Sequence, residues 1–398
     1  MAVAIARIPE VVPVQTSIRA TERAPQLPAL TGLRFLAALL IVCHHITRHF
    51  RPGLIPVPHT VLGPVTLGIN AVLYEGNAAV SFFFVLSGFI LAYTYIQKDG
   101  HLRGTLRRYY VARIGRVYPV YLLAFVVAAL PFAMQAGADQ PRLRLITLLS
   151  GLTLTQTWPQ LWGQNVAYSW NDPGWSLSVE AFFYLVFPLL ALAIGRLRFW
   201  TLVAFIACVA LCGMYLPGLV IGPSCARHLT AVACADIVDT LPPLRLPEFV
   251  LGLALGALVV RWPDVVRFSL PLGLVLAACV LSLCLLAARV TFSSAALPLC
   301  WIALVCAGAR GRGRLGAALG SRPVVRLGEA SYALYLLHWP LWFWITRALG
   351  VPQALPASRD PAAVPLSLAY VVLCVAFSLF AYRFVETPAR HAIRRRWG

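Results

Sequence analysis

An arginine and a histidine eleven residues apart, Arg34 and His45, lie inside the apolar stretch LTGLRFLAALLIVCHHITRHF, residues 30–50. At 100° per residue their azimuths differ by only about 20°, so on a helix they share one face, roughly 16 Å apart along the axis. A cation at the centre of a membrane helix costs about 2.5–3.5 kcal/mol on insertion scales, so a same-face pair of this kind is a functional-site candidate. Arginine offers a charge-assisted anchor for anions, and imidazole offers proton transfer or transient acyl acceptance. A lone histidine would fit a purely structural role equally well. The paired arginine and the clusters further along the chain argue for chemistry.

Four of those clusters follow. FFFVLSG, residues 82–88, ends in Ser87 and Gly88, small residues that permit close approach by another helix or by a ligand. RRYYVARIGRVYP sets Arg113 and Arg116 three apart at the start of an apolar run. They suit a polyphosphate, or are ordinary positive charges at a membrane boundary. WSLSVE, residues 175–180, opens another run with Trp175 and Ser176 and carries Glu180 about 8 Å below its start by the helical rise. His45 has a similar depth, so Glu180 is expected to orient its ring, fix the tautomer and raise its basicity; packing of Glu180 against an arginine is the competing account. EASYALYLLHWP, residues 329–340, carries Tyr332 and, near mid-membrane, His338, with Pro340 kinking the helix. His338 ranks below His45 because no cation shares its face toward the cytoplasm. The closing RFVETPAR reads as a helix-end clamp of ion pairs.

The elements that must hold these groups are membrane helices. Of 398 residues 60% are hydrophobic and 12% charged, too apolar for one soluble core. A formal charge of +19 would suggest nucleic acid in a soluble chain, but membrane proteins collect Lys and Arg in their cytoplasmic loops. Apolar runs near 30–50, 77–97, 115–136, 175–194, 199–221, 246–261, 268–290, 293–309, 328–349 and 364–385 predict an all-α polytopic protein of about ten spans. The run 145–157 is short and polar and is expected to be re-entrant or interfacial. With ten spans and both termini cytoplasmic, the arginine-rich segments 103–116, 310–326 and 383–396 all fall inside. The expected organisation is a cytoplasmic tail over 1–27, a membrane domain over 28–392 and a basic cytoplasmic tail over 393–398. No cleavable signal peptide precedes the first run. The ten cysteines show no metal-site spacing, and Cys225 and Cys234, in the outside loop 222–245, are expected to form a disulfide.

The order LTGLRFLAALLIVCHH, FFFVLSGF, RRYYVARIGRVYPVYL, WSLSVEAFFYLVFPLL, ASYALYLLHWPL and RFVETPAR, covering about residues 28–392, resembles the bacterial acyltransferase-3 family of membrane acyltransferases. The resemblance implies transfer of an acyl group, often acetyl, from cytoplasmic acyl-CoA, used as a donor substrate without a metal, to a hydroxyl. The acceptor would be a surface polysaccharide, a lipid-linked sugar or a glycosylated secondary metabolite. The family's first-helix basic residue and histidine match Arg34 and His45, its arginine pair matches Arg113 and Arg116, and its motif glutamate matches Glu180. His45 and Glu180 are thus the expected catalytic residues. Arg34, Arg113, Arg116 and Ser87, with Trp175, Ser176, Tyr332 and His338, are the expected substrate-binding set. Ala181-Phe182 replaces the polar pair usual after the motif glutamate. Some members carry a fused extracytoplasmic esterase-type domain. Without one, the spanning domain is expected to finish the transfer or pass it to a separate partner protein. The expected setting is the cell membrane, with lipid and a coenzyme A thioester as partners and no nucleic acid. The rival reading is a polytopic transporter using Arg34, His45 and Glu180 as a proton or anion relay.

Overall fold

The computed structural model describes residues 27–47, 63–135, 141–162, 165–221, 231–264, 270–288, 293–350 and 363–397, and among these the chain is helical without a strand. In chain order the helices are α1 (Pro28–His45), α2 (Gly63–Tyr74), α3 (Ala79–Tyr95), α4 (Leu106–Gln135) and α5 (Pro141–Leu152). Next come α6 (Trp175–Gly195), α7 (Phe199–Ile221), α8 (Ala231–Thr240), α9 (Pro242–Arg261) and α10 (Leu272–Ala287). The last five are α11 (Ser293–Arg310), α12 (Gly313–Leu319), α13 (Arg322–Leu349), α14 (Ala363–Ala381) and α15 (Thr387–Trp397), the final two joined by a π-helical turn over Tyr382–Glu386.

Among the described residues six helices are long and apolar enough to cross a membrane: Pro28–His45, Gly76–Tyr95, Leu106–Met134, Asp172–Gly195, Pro242–Arg261 and Pro365–Trp397. Large apolar side chains stand exposed along their outward faces, among them Val126 on α4, Leu185 and Leu189 on α6, and Leu368 and Val372 on α14. Such a belt suits lipid, and the chain is a membrane protein. The expected span at 328–349 is the inner part of the 28-residue α13, which begins earlier at Arg322. It is not in the apolar set, and it packs against α1, α4 and α14. The expected runs over 268–290 and 293–309 are α10, 16 residues long, and α11. At 1.5 Å per residue α10 reaches about 24 Å, short of a hydrocarbon core of ~30 Å. Helix α5 and the turns after it occupy the segment read as re-entrant; its 12 residues reach only about 18 Å. Helices α2, α8 and α12 had no counterpart in the sequence reading, and α15 runs unbroken across the boundary expected at residue 393. Cys234 is disulfide-bonded, whereas Cys225 lies outside the described residues.

Two glycine contacts set the packing. Helices α3 and α9 approach so closely that a Cβ at Gly88 would lie 2.1 Å from the Phe249 carbonyl oxygen, and one at Gly252 would lie 1.8 Å from that of Val85. Only glycine permits that backbone contact, the small-residue packing of membrane helices. Helix α13 is drawn onto α1 in the same way, Gly328 meeting the carbonyl of Thr31. An aromatic core fills the angle between α3, α6 and α9. There Phe183 stacks on Phe249 with centroids 4.8 Å apart and meets Phe84 edge-on at 5.2 Å. These contacts fix α1, α3, α4, α6 and α13 around one interior space.

Candidate active site

That space is a cavity of about 170 Å³, more than ten times the ~10–15 Å³ that one water requires. Its wall takes in Arg34 from α1, Ser87 from α3, Arg113 and Arg116 from α4, Ser176 and Glu180 from α6, and Tyr332 from α13. Seven of the residues singled out in the sequence therefore meet on one surface although they lie on five helices. Trp175 does not join them; it is buried and packs edge-on against Phe84 at 6.2 Å. His45 and His338 are also absent from the wall.

Three arginines crowd one end. The Arg113 guanidinium lies over the rings of Tyr95 and Tyr184, 5.8 and 5.6 Å from their centroids, and its buried Nε has no hydrogen-bond partner. The Arg116 guanidinium lies 5.2 Å from the Tyr332 centroid and forms an ion pair with Glu386, a fully buried residue of the π-helical turn. Arg390, one turn on, approaches the same carboxylate at 3.9 Å. The closing motif is thus an ion-pair clamp, as read from the sequence, but one that reaches across the bundle to the arginine pair. The Tyr332 hydroxyl donates to the carbonyl of Val117 at 2.9 Å, tying α13 to α4 beside the arginines.

Glu180 belongs to this cavity and not to His45. Its Oε1 accepts from Ser87 Oγ at 3.3 Å and from the hydroxyl of Tyr184. The expected pairing of Glu180 with His45 is therefore corrected: His45 lies beside the turn that precedes α6, whereas Glu180 is the sixth residue of that helix and turns toward α3. Ser87 works as its hydrogen-bond donor, while the adjacent Gly88 serves helix packing.

The carboxylate beside His45 is Asp172, with Oδ1 3.6 Å from Nε2. Asp172 opens a 3₁₀ turn, Asp172–Gly174, immediately before α6. The other imidazole nitrogen, Nδ1, lies 3.0 Å from the Ile41 carbonyl and 3.1 Å from Nε2 of His338. The two rings sit 4.9 Å apart, and Trp339 meets His45 edge-on at 5.2 Å. His338 is fully buried, with Nδ1 3.2 Å from the Leu334 carbonyl, so it touches His45 and its own helix and not the cavity. It was expected among the substrate-binding residues, and the structure places it behind His45 and outside the cavity wall.

Between the cavity and the histidine pair stands Tyr335, a wall residue that sequence reasoning missed. Its hydroxyl donates to the Pro173 carbonyl at 2.9 Å and lies 2.7 Å from Ser176 Oγ, and its ring is 6.3 Å from that of His338. Ser176 Oγ also bonds the Pro173 carbonyl at 3.0 Å, and Asn171 Nδ2 donates to the Leu336 carbonyl at 3.0 Å. Tyr335 lies one helical turn from Tyr332, a spacing that puts both on one face, and Asp172 sits in an Asn-Asp-Pro-Gly turn. Those were the available signals. In chemical terms the site offers a cationic end for an anionic ligand, a channel lined by hydroxyls and aromatic rings, and an imidazole with a carboxylate partner just past its far end.

The family model described as an acyltransferase domain matches residues 27–383. The chain is similar to the acyltransferase MdmB of Streptomyces mycarofaciens, 29% identical over 387 residues that take in 94% of each chain. It is also similar to the putative peptidoglycan O-acetyltransferase YrhL of Bacillus subtilis, 26% identical over 410 aligned positions that take in 93% of this chain and 56% of that one. No solved structure matches.

Proposed function

The chain belongs to the acyltransferase-3 family and is a membrane O-acyltransferase, and on that premise we propose that it carries an acyl group from cytoplasmic acyl-CoA to a hydroxyl of a carbohydrate or glycosylated metabolite. The observation that carries this reading is the cavity itself, with Arg34, Arg113 and Arg116 together in its wall and Ser176 and Tyr335 leading toward His45. The arginines hold the phosphates of coenzyme A by charge-assisted bonds, and the pantetheine arm lies along Ser87, Glu180 and Tyr332. Ten crossings of the cell membrane, with both termini cytoplasmic, put the arginine end inside and the His45 end outside.

In this reaction Nε2 of His45 takes the proton of the acceptor hydroxyl as its oxygen attacks the thioester carbonyl. The carbon–oxygen bond forms, the carbon–sulfur bond breaks, and the proton passes from the imidazolium to the departing sulfur as coenzyme A leaves. Asp172 stabilises the imidazolium while it exists. Glu180 orders the channel through Ser87 and Tyr184. A carbohydrate acceptor is supported by the name of the Bacillus relative, a putative peptidoglycan O-acetyltransferase.

The test is thiol release from acetyl-CoA by the purified protein in proteoliposomes, followed with a colorimetric thiol reagent in the presence of candidate sugars. Mass spectrometry of cell-surface glycans and extractable metabolites, with and without the gene, identifies the acceptor. Acceptor-dependent release that disappears in His45→Ala is the expected outcome. Full activity in a folded His45→Ala protein removes the histidine from the mechanism, and solute uptake without thiol release would return the transporter reading.

A further inference from the structure

We propose that His338 and Asp172 are positioning residues for His45, His338 by holding the tautomer whose Nε2 carries the lone pair used in catalysis and Asp172 by stabilising the imidazolium formed there; the inference rests on His45 acting as the base. A carbonyl oxygen only accepts, so Nδ1 of His338, 3.2 Å from the Leu334 carbonyl, must be its protonated nitrogen. The neutral ring then has its lone pair on Nε2, which faces Nδ1 of His45 at 3.1 Å. A lone pair requires a donor opposite it, so Nδ1 of His45 is protonated. The Ile41 carbonyl, 3.0 Å from the same nitrogen, imposes the same assignment independently. Both neighbours therefore select one tautomer and leave Nε2 of His45 as the basic atom.

That atom faces Asp172 Oδ1 at 3.6 Å, too long for a good hydrogen bond but within ion-pair range. Asp172 thus does little for the neutral ring and much for the imidazolium formed when a hydroxyl proton arrives, a stabilisation that grows with the charge of the transition state. Its position is fixed from outside its own turn: Asn171 bonds α13 at Leu336, and Tyr335 of α13 bonds Pro173. The hydroxyl of Tyr370, on α14, holds the carbonyl of His338 at 2.5 Å. These interactions surround the histidine pair, and the sequence motifs gave neither partner a part in orienting or stabilising His45.

The experiment has two arms on the full-length protein in lipid bilayers. In ¹⁵N-histidine solid-state NMR, with His45→Gln as the subtraction reference, the wild-type His45 signal should show a protonated Nδ1 and a bare Nε2. A neutral ring protonated on Nε2 overturns the proposal whatever the activity. In kinetics, Asp172→Asn, which is nearly isosteric and sits at a partly exposed turn, should lower kcat about 100-fold, in the range of a general-base contribution, while the KM for acetyl-CoA stays within about twofold. Asp172→Glu should recover part of the loss, as a purely structural aspartate would not. An unchanged kcat in Asp172→Asn beside an inactive His45→Ala overturns this inference and leaves the proposed function standing. Activity in His45→Ala overturns both.

Discussion

Glu386, which is fully buried, is the counter-ion of Arg116, a residue 270 positions earlier in the chain. A carboxylate in that place needs its partner: the Glu386 Oε2 atom has no hydrogen bond, and removing one member of such a pair leaves a charge stranded beside apolar surroundings. The pair also fixes how the arginine end of the cavity closes, because it ties the π-helical turn after α14 to α4.

Glu386→Gln should therefore destabilise the protein by about 1–3 kcal/mol, the cost of an unsatisfied buried partner. The double variant Glu386→Leu with Arg116→Met should recover part of that loss, since apolar replacement of a whole pair is often tolerated. Thermal unfolding in detergent, taken as a double-mutant cycle, reads the coupling. Strict additivity of the two single losses would show that the pair contributes nothing.

Arg113 and Arg116 line the cavity, and on the proposed function they hold the donor's phosphates, so their removal should be felt as donor affinity. Each Arg→Ala change should raise the KM for acetyl-CoA at least tenfold, the equivalent of roughly 1.5 kcal/mol for a charge-assisted bond. The acceptor KM should move less than twofold. Steady-state kinetics with each substrate varied in turn make the comparison, and equal effects on both would remove the arginines from a donor-specific role.

Tyr335→Phe deletes one hydroxyl and keeps the ring. The turn bearing Asp172 loses its Pro173 tie, while Ser176 still bonds the same carbonyl. A drop in kcat of about fivefold, matching one hydrogen bond of ~1 kcal/mol, is expected with donor KM unchanged. The measurement is the same thiol-release assay, and an increase in donor KM without loss of kcat would place the hydroxyl in donor binding instead.

Gly252→Ala tests the α3–α9 seam. With a Cβ 1.8 Å from the Val85 oxygen, both backbones must part. Overpacking of this kind costs about 1–3 kcal/mol or more. A lower melting temperature and an aggregated fraction on size-exclusion chromatography should follow, whereas Ala at Gly68, which meets nothing within 4 Å, serves as the neutral control.

The residues that gather around the cavity were legible for two reasons: Arg34 and Glu180 are charges inside apolar runs, and Arg113 and Arg116 form a pair three apart where one begins; all four line one wall. The pairing of those residues was not. Depth counted inward from the expected ends of two apolar runs put Glu180 level with His45, whereas His45 meets the turn before α6 and Glu180, further along that helix, faces Ser87 and Tyr184. Asp172 escaped because it precedes a helix, in a turn that a search for apolar runs passes over. His338 was recognised as unusual, but its bond to His45 joins positions 293 residues apart. The expected run at 328–349 is helical within α13, and its N-terminal extension with Arg322 and Arg326, packed with the rest of the helix against α1, α4 and α14, was not legible as part of an apolar run.

The turn holding Asp172 is bonded to α13 through Asn171 and Tyr335, and His338 is itself part of α13. Acid and second imidazole therefore travel as one rigid piece, with α1 as the counterpart that carries His45. Sliding of α1 against that piece would detune both contacts together, so the imidazole is either supported on two sides or on neither. Such coupling makes the α1–α13 seam, where Gly328 meets the carbonyl of Thr31, the contact on which both supports of the imidazole depend.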